Sequence, residues 1–247
     1  MAEIEADLII VGSGVSGALL AAKLAQAGVK VAILEAGARV DRAVARRRFW
    51  NAAIRVPECP YPPSPQAEHP LSNDPDYWYR QTGPDKFKST YLKVVVGTTW
   101  HWLGTCLRFV PNDFRLSSVY GRGVHWPIAY DELEPFYSQA EQEIGVSGDS
   151  SEVLGSPRSM EYPMPAIPAT FMDKAYARSL AGTEFEVRAT PQSRNSVDRG
   201  ERPACCGNAS CIAICPVQAK CDATVHVALA EESSYSPRMA SRFRGFS

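Results

Sequence analysis

The chain has 247 residues, of which 45 % are hydrophobic and 21 % charged, with a formal net charge of −1. That length suits one large domain or two small ones, and the apolar share suits an ordinary globular core. The near-neutral balance excludes the basic excess of a nucleic-acid binder, and no apolar run reaches the roughly 18 residues of a transmembrane helix.

The opening, MAEIEADLIIVGSG, has no basic segment and no cleavage-site pattern, so no signal peptide is expected in this chain. Asp7 to Val11, DLIIV, has the length and content of a buried parallel strand. Val15 to Ala27 is rich in Ala and Leu, which favour helix, and Gly28 stands where a helix C-cap glycine belongs. Lys30 to Glu35, KVAILE, reads as a second buried strand. From Arg39 to Pro75 the pattern breaks into a short helix and a long irregular, proline-rich excursion. Tyr91 to Val96 is expected as a strand, followed by a small-and-aromatic loop from Gly97 to Gly104. Tyr130 to Gln142 is expected as a helix capped by Asp131, with Leu133, Phe136, Tyr137 and Ala140 on one face. Ser147 to Pro168 reads as linker or loop, Phe171 to Leu180 as helix, Glu184 to Ala189 as strand, and Ala223 to Glu231 as helix. No internal repeat is present.

Gly12, Gly14 and Gly17 form G-x-G-x-x-G, the segment GSGVSG. Alone this motif is weak. Here it follows a strand, opens a helix and precedes an acidic residue, Glu35, at the end of the next strand, which is the full context of a dinucleotide-binding βαβ unit. Gly12 permits the tight turn, Gly14 lets the backbone approach a pyrophosphate, and Gly17 lets helix and strand pack closely. The helix N-terminus offers free N–H groups and a positive dipole end to phosphates. Ser13, Val15, Ser16 and Ala36 complete the expected contact set. Glu35 accepts from ribose hydroxyls and disfavours a 2′-phosphate, hence NADP. The N-terminal placement and the LEAG sequence after the second strand point to FAD.

Two further segments carry chemistry. Val96 to Phe114 reads VGTTWHWLGTCLRFVPNDF. Gly97, Thr98 and Thr99 make a small polar loop able to reach a phosphate or ring edge, and Trp100 and Trp102 are able to wall a flavin. On the residues alone, those aromatics read equally well as core, and His101 as a satisfied histidine of the core margin. Seven cysteines are present, five of them between Cys205 and Cys221, spaced C-C-x4-C-x3-C-P-x4-C. Zinc usually takes two C-x2-C pairs or histidines, and vicinal Cys205 and Cys206 suit a disulfide poorly. An iron–sulfur cluster accounts best for the density, since the Cys211-x3-Cys215-Pro216 tail is like the end of a ferredoxin run.

The fingerprint, the GTTWHWLGTCLRFVPNDF segment and the cysteine run together resemble the glucose–methanol–choline oxidoreductases, and within them the large flavoprotein subunits of bacterial FAD-dependent glucose, gluconate and sorbitol dehydrogenases. The resemblance spans about residues 5 to 231. It implies an α/β fold: a Rossmann-like FAD-binding domain with irregular, loop-rich insertions, incomplete here. The implied layout is residues 1–145 as the first part of that domain, 146–231 as the start of a substrate and cluster region, and 232–247 as an aberrant or disordered tail. It also implies flavin contacts at Gly97, Thr98, Thr99, His101 and Gly104. Val96 replaces a glycine usual in the family. Cys205, Cys206, Cys211 and Cys215 match a motif associated with a three-iron (3Fe-4S) cluster, whose ligand set leaves one of them over. Cys59, Cys106 and Cys221 are expected as ordinary thiols.

The implied activity is oxidation of a CH–OH group of a sugar or polyol. Electrons would pass through the cluster to a c-type cytochrome subunit, and a small companion subunit would carry the export signal. The implied place is the periplasmic face of the inner membrane, reached through partners. The family's catalytic histidine and its His or Asn companion lie near the end of a considerably longer chain. His69, His101, His125 and His226 match neither, so catalytic residues are unassigned and this chain alone is expected to be inactive. The rival readings are an inactive fragment that binds FAD weakly or not at all, and an NAD-linked oxidoreductase with a zinc or redox cysteine site; the GTTWHW segment argues against the latter.

Overall fold

In the computed structural model, the described residues are 5–56, 59–61, 82–85, 92–233 and 238–241. Their helices and strands run β1 (Leu8–Val11), α1 (Val15–Gln26), β2 (Val31–Glu35), α2 (Arg42–Asn51), α3 (Leu116–Tyr120), α4 (Tyr130–Ile144), β3 (Ser147–Gly148), β4 (Met164–Pro165), α5 (Phe171–Ser179), α6 (Thr224–Glu232) and β5 (Arg238–Ser241). Single 3-10 turns lie at Gly97–Trp100 and Pro111–Arg115. No described helix is long and apolar enough to cross a membrane. The described part of the chain forms two compact units. One falls within residues 1–102, 209–216 and 222–247, the other within 103–208 and 217–221.

The first unit is the dinucleotide fold. Its sheet has the order β1-β2-β5, all parallel, with Ile10 opposite Ile33 and Glu35 opposite Ser241. Residues 238–241 of the expected irregular tail are thus a sheet strand; the rest of 234–247 lies outside the described residues. β2 is buried along its length except at half-buried Leu34. β1 departs from the expectation of a buried strand. Only Ile10 is buried, while Ile9 and Val11, which alternate onto the opposite face, are 60 % and 82 % exposed, because no described residue covers that face of β1. Small residues let α1 sit close: Ala21 and Ala22 pack with Ile10, Val31, Ile33 and Ala230 of α6. Asp41 caps α2 by accepting the Val44 N–H at 2.9 Å.

The expected strand ending at Val96 does not form among the described residues. Val94 makes a single bridge to Ala38, and the chain then coils into the Gly97–Trp100 turn. That turn is held from inside, since Trp100 Nε1 donates to the Val95 carbonyl at 3.0 Å and Trp100 is buried. Arg42 of α2 stacks 4.5 Å from the Trp100 ring and donates to the Cys215 carbonyl and to buried Asp222.

The second unit is loop-rich and built on α4. Its cap is not Asp131: Ala129 is the N-cap, and its N–H donates to Glu132 at 2.8 Å. Arg108 lies buried against this helix, paired with both oxygens of Glu141 at 2.7 and 2.8 Å and with Glu134 at 2.9 Å. Arg158 reaches the same Glu141, and Ser159 donates to Glu134, so the expected linker from Ser147 onward is pinned to the helix. The α5 helix starts at a Thr170 capping box. Residues 184–189 form no strand; Phe185 and Val187 are exposed there.

Candidate functional site: a dinucleotide cradle

β1 ends at Gly12, which takes φ +88°, and its N–H bonds back to the Leu34 carbonyl at 2.8 Å. A side chain would be strained there. At Gly17 a Cβ would lie 2.3 Å from the Gly12 carbonyl oxygen and 3.1 Å from the Ile10 side chain, so only glycine lets α1 approach its own strand. Gly14 differs: nothing stands within 4 Å of its Cβ direction. It is the N-cap of α1, with no side-chain cap and no acidic residue in the first turn. The first N–H groups of α1 are therefore left to an incoming acceptor.

Glu35 closes the other side. Its Oε2 accepts the Ser13 N–H at 2.9 Å and the Ser13 hydroxyl at 2.5 Å, and its Oε1 accepts the Gly37 N–H at 2.7 Å. A carboxylate has about four acceptor sites, so three donors leave one, on Oε1, for a ribose hydroxyl. Glu35 is thus more a structural hinge of the cradle than a free ligand, which sequence reasoning missed. Gly37 was missed as well. A Cβ on it would fall 2.3 Å from Val94 Cα, so this glycine admits the segment that carries the second loop.

The cradle opens into a cavity of about 610 Å³. Gly12, Ser13, Gly14 and Val15 line it from the fingerprint, Glu35 and Ala36 from the end of β2, and Gly97, Thr98 and Thr99 from the turn. Leu92, Lys93 and Val94 add to the lining and were not singled out in the sequence; Val96, at the position of the family's usual glycine, lines it too. Lys93 brings a positive charge suited to phosphates, and a neighbouring strand-like run hid it. Ser16, Gly17, His101 and Gly104 do not line the cavity. Ser16 is exposed in the first turn of α1, and Gly17 serves packing. His101 is half-buried with its ring 6.3 Å from that of Tyr61. Gly104, at φ +86°, belongs to the second unit, where a Cβ would press on the Ser193 carbonyl at 3.3 Å. A dinucleotide fits what is present: an open glycine, an uncapped helix end, one spare carboxylate site and a cavity joining both loops.

The cysteine run behaves differently. Cys205 and Cys206 fall in the second unit, half-buried and exposed, while Cys211 and Cys215 fall in the first, half-buried and buried. Among the described residues, no three His, Cys, Asp or Glu side chains gather into a metal-holding group. Of the remaining cysteines, Cys106 gives its thiol hydrogen to the Gly104 carbonyl, and burial pushes that thiol up to about 11.

Residues 10–78 match the NAD(P)-binding Rossmann-like domain. The chain is 38 % identical to the fructose dehydrogenase large subunit of Gluconobacter japonicus, over 87 % of this chain and 41 % of that protein. It is 32 % identical to the 2-methyl-1,2-propanediol dehydrogenase of Mycolicibacterium austroafricanum, over 58 % of this chain and 25 % of that protein. It is 24 % identical to the gluconate 2-dehydrogenase flavoprotein of Pantoea cypripedii, over 77 % and 35 %. The chain thus spans about two fifths of the length of the first of these relatives, and less of the others. With a dinucleotide cradle of this construction, the chain carries a Rossmann-like dinucleotide-binding fold and is similar, through most of its own length, to a dehydrogenase large subunit and a dehydrogenase flavoprotein.

Proposed function

We propose that this chain holds FAD in the fingerprint cavity and supplies that part of a dehydrogenase oxidising a hydroxyl group of a sugar or polyol. The observation that carries the reading is the lining of one cavity by the Gly12–Val15 turn, Glu35 and the Gly97–Thr99 turn together. FAD, when bound, supplies the hydride acceptor. The chain's own residues bind and orient it. The uncapped end of α1 and Gly14 receive the pyrophosphate, Lys93 adds a positive charge, and the spare Oε1 site of Glu35 takes a ribose hydroxyl. Thr98 is exposed on the same lining and offers a hydroxyl donor. The substrate class rests on relatives named for fructose, a propanediol and gluconate, all of which carry oxidisable alcohols. None of the described histidines lines the cavity, and no catalytic base is assigned.

The large-subunit and flavoprotein names of two relatives support a multi-subunit assembly. A small companion, a c-type cytochrome and a place on the periplasmic face of the inner membrane complete the proposal. An iron–sulfur cluster on Cys205, Cys206, Cys211 and Cys215 rests on their spacing. A visible spectrum of the anaerobically purified chain, with iron and sulfide analysis, tests both parts. Flavin bands with stoichiometric iron and sulfide are expected. Flavin without iron removes the cluster, and a folded but colourless chain that takes up no added FAD removes the central reading.

A further inference from the structure

Ser13 occupies the first variable position of the glycine fingerprint, where any small residue satisfies the turn. Its surroundings ask for more. Ser13 is fully buried. Its N–H and its hydroxyl both donate to Glu35 Oε2, and the hydroxyl oxygen accepts the N–H of Val96 at 2.8 Å, from 83 positions along the chain. One hydroxyl therefore joins the pyrophosphate turn, the acidic end of β2 and the second loop. A hydroxyl donates and accepts at once; a methyl group does neither.

Val96 is the partner that needs holding. It takes φ +69° and ψ 0°, a left-handed conformation that a β-branched residue adopts only under constraint. Its carbonyl is tied as well, accepting the Thr99 hydroxyl at 2.7 Å, and its side chain is buried in the core. Gly97, Thr98 and Thr99 follow directly and line the cavity. A Val96 relaxed to negative φ would carry those three residues off the lining.

We infer that Ser13 is a positioning residue for the cofactor: its hydroxyl links Glu35 to the Val96 N–H, holds Val96 left-handed, and so sets the Gly97–Thr99 side of the cradle before FAD arrives. The inference rests on the FAD-binding reading above. It makes Ser13 matter through Val96 rather than through contact with FAD. Glycine adopts the left-handed conformation without help, so removing the strained side chain should remove the need for the hydroxyl.

The test is a double-mutant cycle on the full chain: wild type, Ser13→Ala, Val96→Gly and the double variant. FAD is titrated into each apo protein by quenching of flavin fluorescence, and denaturant midpoints are measured on the same apo samples. Ser13→Ala should weaken FAD binding about tenfold in the parent, as expected when the strained left-handed conformation of Val96 is no longer held. In the Val96→Gly background the same change should cost less than about threefold, a clear departure from additivity. Equal losses in both backgrounds overturn the inference. If Ser13→Ala alone does not fold, recovery in the double variant supports the inference and its failure overturns it. If the parent chain takes up no FAD, the binding reading falls. The link is then judged on midpoints alone: non-additive values support it, and additive values overturn it.

Discussion

The glycine fingerprint and the cysteine run are both short motifs in loops, and they fare differently in the folded chain. Gly12, Gly14 and Gly17 work through backbone geometry: a positive φ, an open approach and a near-contact of 2.3 Å. Every partner they need is supplied by β1, α1 and β2, within the first forty residues. The cysteines work only if side chains converge. Their loop contributes residues to two compact units, and no three potential ligands meet among the described residues. A motif that encodes sterics brings its geometry with it, whereas a motif that encodes ligands depends on where the rest of the chain carries them.

The sharpest way to break this contrast is at Gly17. Gly17→Ala would set a methyl group against the Gly12 carbonyl and should destabilise the first unit by about 3 kcal/mol, abolishing FAD uptake. Denaturant unfolding and FAD titration read both effects, and a tolerated alanine would mean the fingerprint is looser than described. Arg42→Ala comes next. It removes the guanidinium that pairs with Asp222, whose side chain is 1 % exposed and keeps its bonds from Thr224, and should cost about 3 kcal/mol in the same unfolding experiment.

The second unit should show its own signature in acid. Burial raises the Glu134 carboxyl, but hydrogen bonds from the Ser159 N–H and hydroxyl and from Arg108 outweigh it and bring it down to about 2. A depressed folded pKa stabilises above the ordinary value of 4.5, and the stability is lost as pH falls from there toward 2. Glu134→Gln should flatten the unfolding profile across that window. The smallest effects belong to the lining charge and the surface thiols. Lys93→Gln should weaken FAD binding a few-fold, less so at high salt. Exposed Cys206 should alkylate readily at pH 8, while Cys106, with its thiol raised to about 11, should resist. Equal labelling of the two would contradict the burial described here.

Much of the cradle is legible in sequence because its elements are local. The βαβ unit from Leu8 to Glu35 follows from periodicity and glycine placement, and its bounds fall within a residue or so of expectation. Gly37 and Lys93 were not legible, because each acquires its role from a partner far along the chain. Val96 misled in an instructive way. YLKVVV has the composition of a strand, yet among the described residues only Val94 makes a bridge, and the tertiary ties of Val95 and Val96 override the propensity. Arg108 was passed over inside a segment read for flavin contacts, although its side chain organises the second unit.

The exposed β1 strand has a bearing on how the protein behaves in a tube. Parallel strands are normally covered on both faces, and an open apolar edge offers its unpaired amides to any extended chain that meets it. Among the described residues β1 is such an edge, and exposed Ile9 and Val11 stand on it immediately before the fingerprint turn. Strand addition there would join molecules through the element that leads into the FAD cavity. Colloidal loss and cofactor occupancy are then linked quantities: a preparation that clouds on concentration should lose its yellow colour in step.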